Sequence, residues 1–357
     1  MKIVIIGPYP PPFGGISIHI KRMRMYLLKK GMNVYIYNEI KNSKPISNNI
    51  YPTGSFKKFM FKIPFIKGDV FHFHSIDIRV RMILGIYKLF NKKIVLTIHG
   101  ESLNEQLQNS NFITKKVLLK SLKSMNKIVC VNQNIKDNLS NLGINKERLI
   151  CIPAFIAPIE DMNDEKHISR EIWDFVDGSE FLICANGWIR LENNEDIYGM
   201  DMLIELISKI KNSGVKLIIA LLGVKNQSGE EKGYYKDLKS RIESYGIKNR
   251  IFIYEAEDTE FYPILKKSKL FIRPTNQDGD AISVREALYL NIPTLASDAA
   301  YRPDGFILFK KRDIDDLYKK TIYAIENHEA CKEELKNIHI EDNAEALYKV
   351  YNELSNI

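Results

Sequence analysis

Residues 266–298 read KKSKLFIRPTNQDGDAISVREALYLNIPTLASD, and this stretch decides the fold. The apolar run Leu270–Ile272 predicts a strand, the polar segment 275–280 a loop, and Ala281–Leu290 a helix that Asn291-Ile292-Pro293 ends before another strand begins. In an open parallel sheet, a loop and helix N-terminus of this kind border the ligand crevice. The stretch therefore predicts one unit of a doubly wound α/β domain.

Two carboxylates stand at this predicted site. Asp278 lies in the loop, and Glu286 lies eight positions later, two turns into the helix. Carboxylates repel phosphate but accept hydrogen bonds from hydroxyls, which are dense in sugars and riboses. The pair indicates a ligand that carries many hydroxyls. The alternative is an ordinary surface loop followed by an amphipathic helix.

The run Asp278–Leu288 and the strand after it resemble the retaining glycosyltransferases of family 4, in which two acidic residues eight positions apart flank a glycine-containing loop. Here Asp278 stands where that family usually has glutamate. The resemblance implies a nucleotide-sugar donor, with Glu286 on the ribose and Asp278 as a catalytic residue on the donor sugar. It also implies transfer with retention of configuration. Asp278-Gly279-Asp280 is similar to the acid-any-acid metal motif of other glycosyltransferases, but we expect no cofactor and no metal.

The N-terminal segment predicts a strand–helix–strand unit, with strands at 2–6 and 33–37 and a helix at 16–30. The connecting loop is rich in proline and ends in Gly14-Gly15, whose amides could approach an anion or could simply form a turn. Many family 4 enzymes begin in this way. The resemblance thus implies that Gly14 and Gly15 hold the donor phosphates.

The amides of the later helix are expected to take part in the same contact, and they belong to Ala281, Ile282 and Ser283. Family 4 members usually also carry a glycine-arginine pair followed by a lysine-glycine pair. In this chain Tyr198 holds the lysine position, and Arg190 is displaced from its glycine. We expect Arg190, supported by Arg273, to neutralise the diphosphate, and the alternative is that Arg273 and Arg285 together replace the missing charge.

Two histidines end predicted strands: His74 closes the strand at 69–74, and His99 closes the strand at 93–99. Strand carboxyl ends line the crevice of such sheets, so both are functional candidates, although a lone histidine is often structural. The resemblance implies that His99, in Thr97-Ile98-His99-Gly100, is a catalytic residue facing the donor sugar. His74 is placed on the acceptor side.

Strands and helices alternate twice along the chain, which predicts two doubly wound Rossmann-like domains. We expect an acceptor-binding domain at 1–160, a polar linker within 158–180 and a nucleotide-sugar-binding domain at 175–335. The architecture that this arrangement resembles, called GT-B, implies that the domains face a cleft. It also implies that a C-terminal helix within 336–357 crosses back to the first domain.

Charge is unevenly distributed between the two halves. Residues 1–150 carry 25 Lys and Arg against 7 Asp and Glu, whereas the rest of the chain has a net charge of −10. A basic half favours an anionic partner. The span 55–68, SFKKFMFKIPFIKG, mixes lysine with phenylalanine and suits an anionic membrane surface, although it could be a core-facing helix with a lysine face. We expect no nucleic acid, because no recognised motif accompanies the charge.

Four scattered cysteines favour buried thiols in a reducing cytoplasm, and no apolar run is long enough for a membrane span. We therefore expect a cytoplasmic protein bound peripherally to the inner face of the membrane. Its expected reaction transfers a sugar from a nucleotide-sugar to a glycan or polyprenyl-diphosphate-linked acceptor, in capsule, exopolysaccharide or lipopolysaccharide biosynthesis. The alternatives are a sugar-nucleotide epimerase of the same fold and a non-catalytic sugar-nucleotide-binding protein, which Tyr198 favours.

Overall fold

The protein is described by a computed structural model. The described residues are 1–40, 48–100, 102–160, 162–255, 259–278, 281–300, 302 and 304–355, so Gly279 and Asp280 of the acidic loop lie outside them. The chain divides into two compact units. Unit 1 comprises Met1–Pro10, Gly14–Ile159 and Asp342–Ile357, and unit 2 comprises Pro11–Phe13 and Glu160–Glu341.

Unit 1 contains a seven-stranded parallel sheet of order β3-β2-β1-β4-β5-β6-β7. Its strands are β1 (Lys2–Gly7), β2 (Asn33–Asn38), β3 (Ile50–Pro52), β4 (Val70–Phe73), β5 (Ile94–Ile98), β6 (Lys127–Cys130) and β7 (Leu149–Cys151). Its helices are α1 (Gly15–Lys29), α2 (Phe56–Lys62), α3 (Ile78–Ile83), α4 (Ser102–Asn109), α5 (Phe112–Ser124) and α6 (Gln133–Asn141). Short 3-10 helices follow at Ile63–Phe65 and Leu84–Phe90.

Unit 2 contains a six-stranded parallel sheet of order β12-β11-β8-β13-β14-β15 and a small antiparallel hairpin, β9-β10. The strands are β8 (Phe181–Trp188), β9 (Leu191–Glu192), β10 (Glu195–Asp196), β11 (Val215–Leu222), β12 (Ile251–Glu255), β13 (Leu270–Arg273), β14 (Thr294–Ser297) and β15 (Phe306–Phe309). The helices are α7 (Met162–Lys166), α8 (Arg170–Asp177), α9 (Met200–Lys209), α10 (Gly229–Ser244), α11 (Tyr262–Leu265), α12 (Ile282–Tyr289), α13 (Ile314–Glu326) and α14 (His328–Leu335). Two Rossmann-like α/β units confirm the predicted fold class.

The segment 158–180, expected to be a linker, holds α7 and α8 instead. Ile168, Ile172 and Val176 recur every four residues and are buried in the core of unit 2. The acidic residues between them hide this apolar spacing from a reading of composition. A packed helix therefore stands where the sequence suggested a loose connection.

The last helix, α15 (Ala344–Ser355), belongs to unit 1. Its apolar face is buried with the residues of β1 and α1, and Lys93 Nζ donates to the carbonyl of Leu354 at 2.8 Å. Just before the helix, the Asn343 side chain donates to the carbonyl of Phe155 at 3.0 Å. The core of unit 1 is thus completed by the end of the described chain.

All four cysteines are free thiols, and three of them are buried, namely Cys130, Cys184 and Cys331. Among the helices in the described ranges, none is long and apolar enough to cross a membrane.

Candidate active site

A buried charge cluster occupies the loop after β13 in unit 2. The carboxylate of Asp278 accepts hydrogen bonds from Arg273 Nε at 3.2 Å, Arg273 Nη2 at 3.3 Å and Arg302 Nη2 at 3.0 Å. The Asp278 side chain is only 8% exposed. Burial alone would lower the pKa of Arg273, but the adjacent Asp278 carboxylate outweighs it, so the pKa of Arg273 is raised. Arg273 is therefore charged, and the two guanidiniums together hold Asp278 in one position.

Arg273 has further partners at the carboxyl end of β8. Its Nη1 donates to the backbone carbonyl of Asn186 at 2.8 Å and to the Asn186 side-chain oxygen at 3.1 Å. Its guanidinium carbon lies 5.1 Å from the centre of the Tyr198 ring, within the range of a cation–π contact. The tyrosine in the usual lysine position thus packs against Arg273, which is committed to contacts within the protein.

Arg190 lies directly after β8, and its side chain is exposed. Because β8 pairs with β13, the carboxyl ends of these two strands bring Arg190 and the Asp278 loop to the same edge of the sheet. Arg190 is therefore available to a ligand at this edge, whereas Arg273 is engaged.

A second carboxylate, Asp196, closes the N-terminus of α9. It accepts hydrogen bonds from the backbone N–H groups of Tyr198 at 2.9 Å, Gly199 at 3.1 Å and Met200 at 2.8 Å, and from the Tyr234 hydroxyl at 3.0 Å. Burial raises its pKa even though these donors favour the charged form. Asp196 went unnoticed in the sequence, where an acidic residue just before a helix could have indicated a cap.

The second acid of the predicted pair, Glu286, is buried on α12, with 5% exposure. This helix starts after Ala281, which has an extended backbone and no side chain that can cap. The N–H groups of a first helical turn, here those of Ile282 and Ser283, have no acceptor within the helix. Asp278 and this helix N-terminus follow β13, so they lie at the edge of the sheet that also carries Arg190.

In unit 1, three histidines come together at the carboxyl ends of β4 and β5. His74 Nδ1 lies 2.8 Å from His99 Nε2, and the ring of His19, on α1, lies within 5.3 Å of both other rings, centroid to centroid. Burial lowers the pKa of His19 to about 4 and the pKa values of His74 and His99 well below the usual 6.5. All three rings are therefore neutral at pH 7.

His19 was not anticipated, because a single histidine within a helix gives no signal in the sequence. The other buried histidine, His72, has a structural role. Its Nδ1 is 2.6 Å from the hydroxyl of Tyr351 on α15, and its Nε2 is 2.7 Å from Thr97 Oγ1. Of the predicted pair, His99 is half-buried and His74 is buried.

Arg81, which is completely buried, connects the loops that carry His74 and His99. Its Nε donates to the carbonyl of Ser75 at 3.2 Å, and its Nη2 donates to Ser102 Oγ at 3.2 Å. Burial lowers its pKa to about 10, which still leaves it charged at neutral pH. The sequence did not single out this positioning residue.

The predicted phosphate loop of unit 1 is partly engaged. The N–H of Gly14 donates to Ser17 Oγ at 2.9 Å as part of the cap of α1, whose first residue is Gly15. At Gly7, which ends β1, an added Cβ would come within 2.7 Å of Ile20 and 3.0 Å of His74. The absence of a side chain at Gly7 therefore lets α1 approach the end of β4.

Glu39 follows β2 at the same edge of the unit 1 sheet. Burial is the main reason that its pKa is raised to about 7, with Ser75 opposing the shift and Asp77 adding to it. Its Oε1 has no hydrogen-bond partner among the described residues. This carboxyl was not identified from the sequence.

Comparison with known proteins relates both units to enzymes that transfer sugars. The family described as Glycosyltransferase Family 4 matches residues 13–158, and Glycosyl transferases group 1 matches residues 190–339. Trehalose synthases of Thermococcus litoralis and Pyrococcus furiosus are each 22% identical over 204 residues, which cover 54% of this chain. The chain spans about half the length of these curated relatives, with 48% of each covered.

Solved structures agree over the whole chain. Alr3699/HepE from Anabaena, in complex with UDP-glucose, has a TM-score of 0.64 at 14% identity and covers 100% of this chain and 98% of its own. A glycosyltransferase from Rickettsia africae has a TM-score of 0.67 at 16% identity, with 99% and 98% covered. The trehalose-6-phosphate synthase OtsA has a TM-score of 0.70 at 12% identity, with 100% and 99% covered. Residues 13–158 are thus similar to Glycosyltransferase Family 4 and residues 190–339 to Glycosyl transferases group 1, and the chain has the GT-B fold of these solved structures.

Proposed function

We propose that this protein is a retaining glycosyltransferase that moves a sugar from a nucleotide-sugar donor to a glycan acceptor. The observation that carries the proposal is that Asp278, Arg190 and the N-terminus of α12 all follow the carboxyl ends of the paired strands β8 and β13. The complexes of Alr3699/HepE with UDP and UDP-glucose support a donor of this class.

In the proposed donor site, the backbone amides at Ala281, Ile282 and Ser283 hold the diphosphate, because a helix N-terminus offers unpaired N–H groups and a positive dipole end. Arg190 adds the mobile positive charge that the leaving diphosphate requires. The Glu286 carboxylate accepts the hydroxyls of the ribose. This assignment needs no metal at the diphosphate.

Arg273 has a supporting role in this proposal. Together with Arg302 it orients Asp278. Both arginines donate to Oδ2, whereas Oδ1 receives one hydrogen bond from Arg273 and can accept another from a hydroxyl of the donor sugar. We also propose His99 as a catalytic residue and His74 as an acceptor-side residue, as the family resemblance implies. The acceptor hydroxyl attacks the anomeric carbon on the face from which the diphosphate departs. Its proton passes to the leaving phosphate oxygen. Because attack and departure take place on the same face, the anomeric configuration is retained.

The acceptor is proposed to be a glycan on a polyprenyl diphosphate, in capsule, exopolysaccharide or lipopolysaccharide biosynthesis at the inner face of the cell membrane. Unit 1 supports this with its basic charge and with exposed apolar side chains, among them Phe65 at 84% and Phe112 at 79% exposure. Phe65 lies in the span 55–68, where Phe59 and Met60 are buried, so that span serves both the core and the surface.

Membrane binding can be tested by pelleting the protein with anionic and with neutral liposomes at low and at high salt. We expect the protein to bind anionic vesicles less strongly as the salt concentration rises. Salt screens the attraction between exposed lysines and anionic lipid headgroups. A Phe65→Ser and Phe112→Ser double variant should bind less, since both rings would otherwise enter the headgroup region. Equal recovery from neutral and anionic vesicles would contradict the proposal.

The donor can be identified by thermal stabilisation with UDP-, GDP- and ADP-linked sugars. A true donor at a hundredfold its dissociation constant stabilises the protein by about 2.7 kcal/mol. Arg190→Ala should lower the affinity for that donor by about tenfold or more, since a hydrogen bond to a charged group contributes about 1.5–3 kcal/mol. Arg170→Ala, which changes an exposed arginine on α8, is the matched control. Unchanged donor affinity in Arg190→Ala would refute the role of this arginine.

A second candidate is a non-catalytic sugar-nucleotide-binding protein. Tyr198 packs on Arg273, and Asp196 closes the N-terminus of α9, so a cation and a helix end that could have met phosphate are both engaged. Donor-induced stabilisation without release of free nucleotide in the presence of acceptor would favour this candidate. Conversion of the donor to an epimer without acceptor would instead indicate an epimerase.

A further inference from the structure

We propose that His19, His74 and His99 form a binding site for a divalent transition-metal cation, with Zn²⁺ the best fit. The three side chains come from α1 and from the ends of β4 and β5, all within unit 1. One ring nitrogen of each lies within 4.8 Å of the others. The site goes beyond the proposed transfer reaction and does not rest on it.

The spacing of the rings fits tetrahedral coordination. The centroids are 5.3 Å apart for His19 and His74, 5.1 Å for His19 and His99, and 5.1 Å for His74 and His99. With Zn–N bonds of about 2.0–2.1 Å and about 1.1 Å from nitrogen to ring centre, a tetrahedral centre predicts centroid separations of roughly 5.2 Å. The three rings thus already form a triangle of the required size.

One local adjustment is needed. His74 Nδ1 and His99 Nε2 are 2.8 Å apart and share a proton in a hydrogen bond. Two ligands of one tetrahedral zinc ion lie about 3.4 Å apart, so these atoms must separate by roughly half an ångström when the metal takes the place of the shared hydrogen. That hydrogen moves to the other nitrogen of the ring that carries it, so both imidazoles stay neutral. A shift of this size is within the reach of small ring rotations.

The unpaired nitrogen of His19 points to a ligand independently of the spacing. His19 is 2% exposed, and its Nε2 is buried without a hydrogen-bond partner among the described residues. Its Nδ1 lies 2.7 Å from the carbonyl of Ala154, so Nδ1 carries the hydrogen and Nε2 presents a lone pair. Metal-binding histidines are typically oriented by such a hydrogen bond through the other nitrogen.

The charges near the site limit which ligand can complete it. Within the described ranges, the charged groups that act on His19 and His99 include Arg22 and Arg81, and both are positive. Affinity for a cation must therefore come from three neutral imidazoles, which suit zinc better than calcium or magnesium. His99 is half-buried, so solvent reaches this residue, and we expect water to supply the fourth ligand.

The expectation of no metal applied to the whole chain and was formed from motifs in the sequence, whereas the proposed site consists of histidines that only the fold brings together. Metal at His99 Nε2 would leave Nδ1 of the same ring for a donor-sugar hydroxyl. The two proposals are therefore compatible, and each can fail without the other.

The test uses the full-length protein, stripped with a chelator and titrated with Co²⁺ and Zn²⁺. We expect one Co²⁺ per chain with the strong visible absorption of tetrahedral coordination, and Zn²⁺ that displaces it. His19→Ala and His99→Asn should each weaken binding by more than about a hundredfold, because even partners outside the ligand shell typically contribute 10- to 100-fold.

His167→Ala, which changes an exposed histidine of unit 2, is the control and should bind as the parent does. Circular dichroism establishes that each variant is folded, and His99→Asn provides a second test if His19→Ala is not. Absence of the tetrahedral absorption in the parent protein would overturn the proposal. Binding that survives in folded His19→Ala and His99→Asn, or that is lost in His167→Ala, would overturn it as well.

Discussion

Replacing Asp278 by asparagine removes the negative charge that two buried guanidiniums share. Arg273 and Arg302 have side chains that are 9% and 2% exposed, so water cannot readily replace the carboxylate. Breaking a buried ion pair from one side typically costs about 3–5 kcal/mol, because an uncompensated charge stays behind. For a domain of this size, each kcal/mol lowers the melting temperature by about 2–4 °C, so we expect a fall of roughly 6–20 °C.

Tryptophan fluorescence can report this loss from unit 2 alone. The chain contains two tryptophans, Trp173 and Trp188, and both belong to unit 2. Urea unfolding followed by tryptophan emission therefore measures the free energy of unfolding of the unit that contains the change. The transition of unit 1, read by far-ultraviolet circular dichroism, should not move.

Asp174→Asn is the matched control, because it removes a carboxylate from an exposed ion pair. The side chain of Asp174 is 69% exposed, and that of its partner Arg170 is 93% exposed. Exposed pairs of this kind contribute little, so the control should unfold like the parent. If Asp278→Asn unfolds within about 1 kcal/mol of the control, the carboxylate does not anchor the two arginines. The proposed orientation of Asp278 by Arg273 and Arg302 would then have to be abandoned.

Three further changes test unit 1. The folded-state pKa of Glu39 is raised to about 7, so its contribution to stability is complete below its unfolded value of 4.5 and is lost as the pH rises through 7. Between pH 4.5 and 7 the free energy of unfolding of the parent should fall by up to about 3 kcal/mol on account of Glu39, and Glu39→Gln should lack this fall. Parallel curves of stability against pH for parent and variant would contradict this. Tyr351→Phe leaves the buried Nδ1 of His72 without its partner and should cost about 1–3 kcal/mol in urea unfolding, whereas an unchanged midpoint would show that the bond contributes nothing. Arg81→Met should cost about 2 kcal/mol and speed hydrogen exchange beyond Ser75, since it releases the loops after β4 and β5; equal exchange would argue against its positioning role.

Features encoded in a contiguous stretch could be predicted from the sequence. The succession β13, loop, α12 and β14 follows from apolar spacing and from the Asn-Ile-Pro stop, and the pair Asp278 and Glu286 follows from its own eight-residue separation. Parallel sheets bury both faces of their strands, so their apolar runs are conspicuous. The short edge strand β3 (IYP) lacks such a run, whereas β15 was missed although its four residues (FILF) are all apolar.

Contacts between distant segments could not be predicted. Arg302 meets Asp278 only because the chain after β14 returns to the same edge of the sheet, and nothing in the local sequence of Arg302 indicates this ion pair. His19 joins His74 and His99 because Gly7 allows α1 to approach the end of β4. Such partnerships depend on packing rather than on spacing along the chain.

The membership of α15 in unit 1 has a consequence for biosynthesis. Helix α15 emerges from the ribosome after all of unit 2, yet its apolar face covers the core built by β1, β4 and α1. Domains generally fold in order of synthesis, N-terminal first. Here unit 2 can fold completely before α15 is made. Until then the apolar face of unit 1 that α15 covers stays exposed, so we expect a nascent-chain chaperone to bind there longer than elsewhere on the chain.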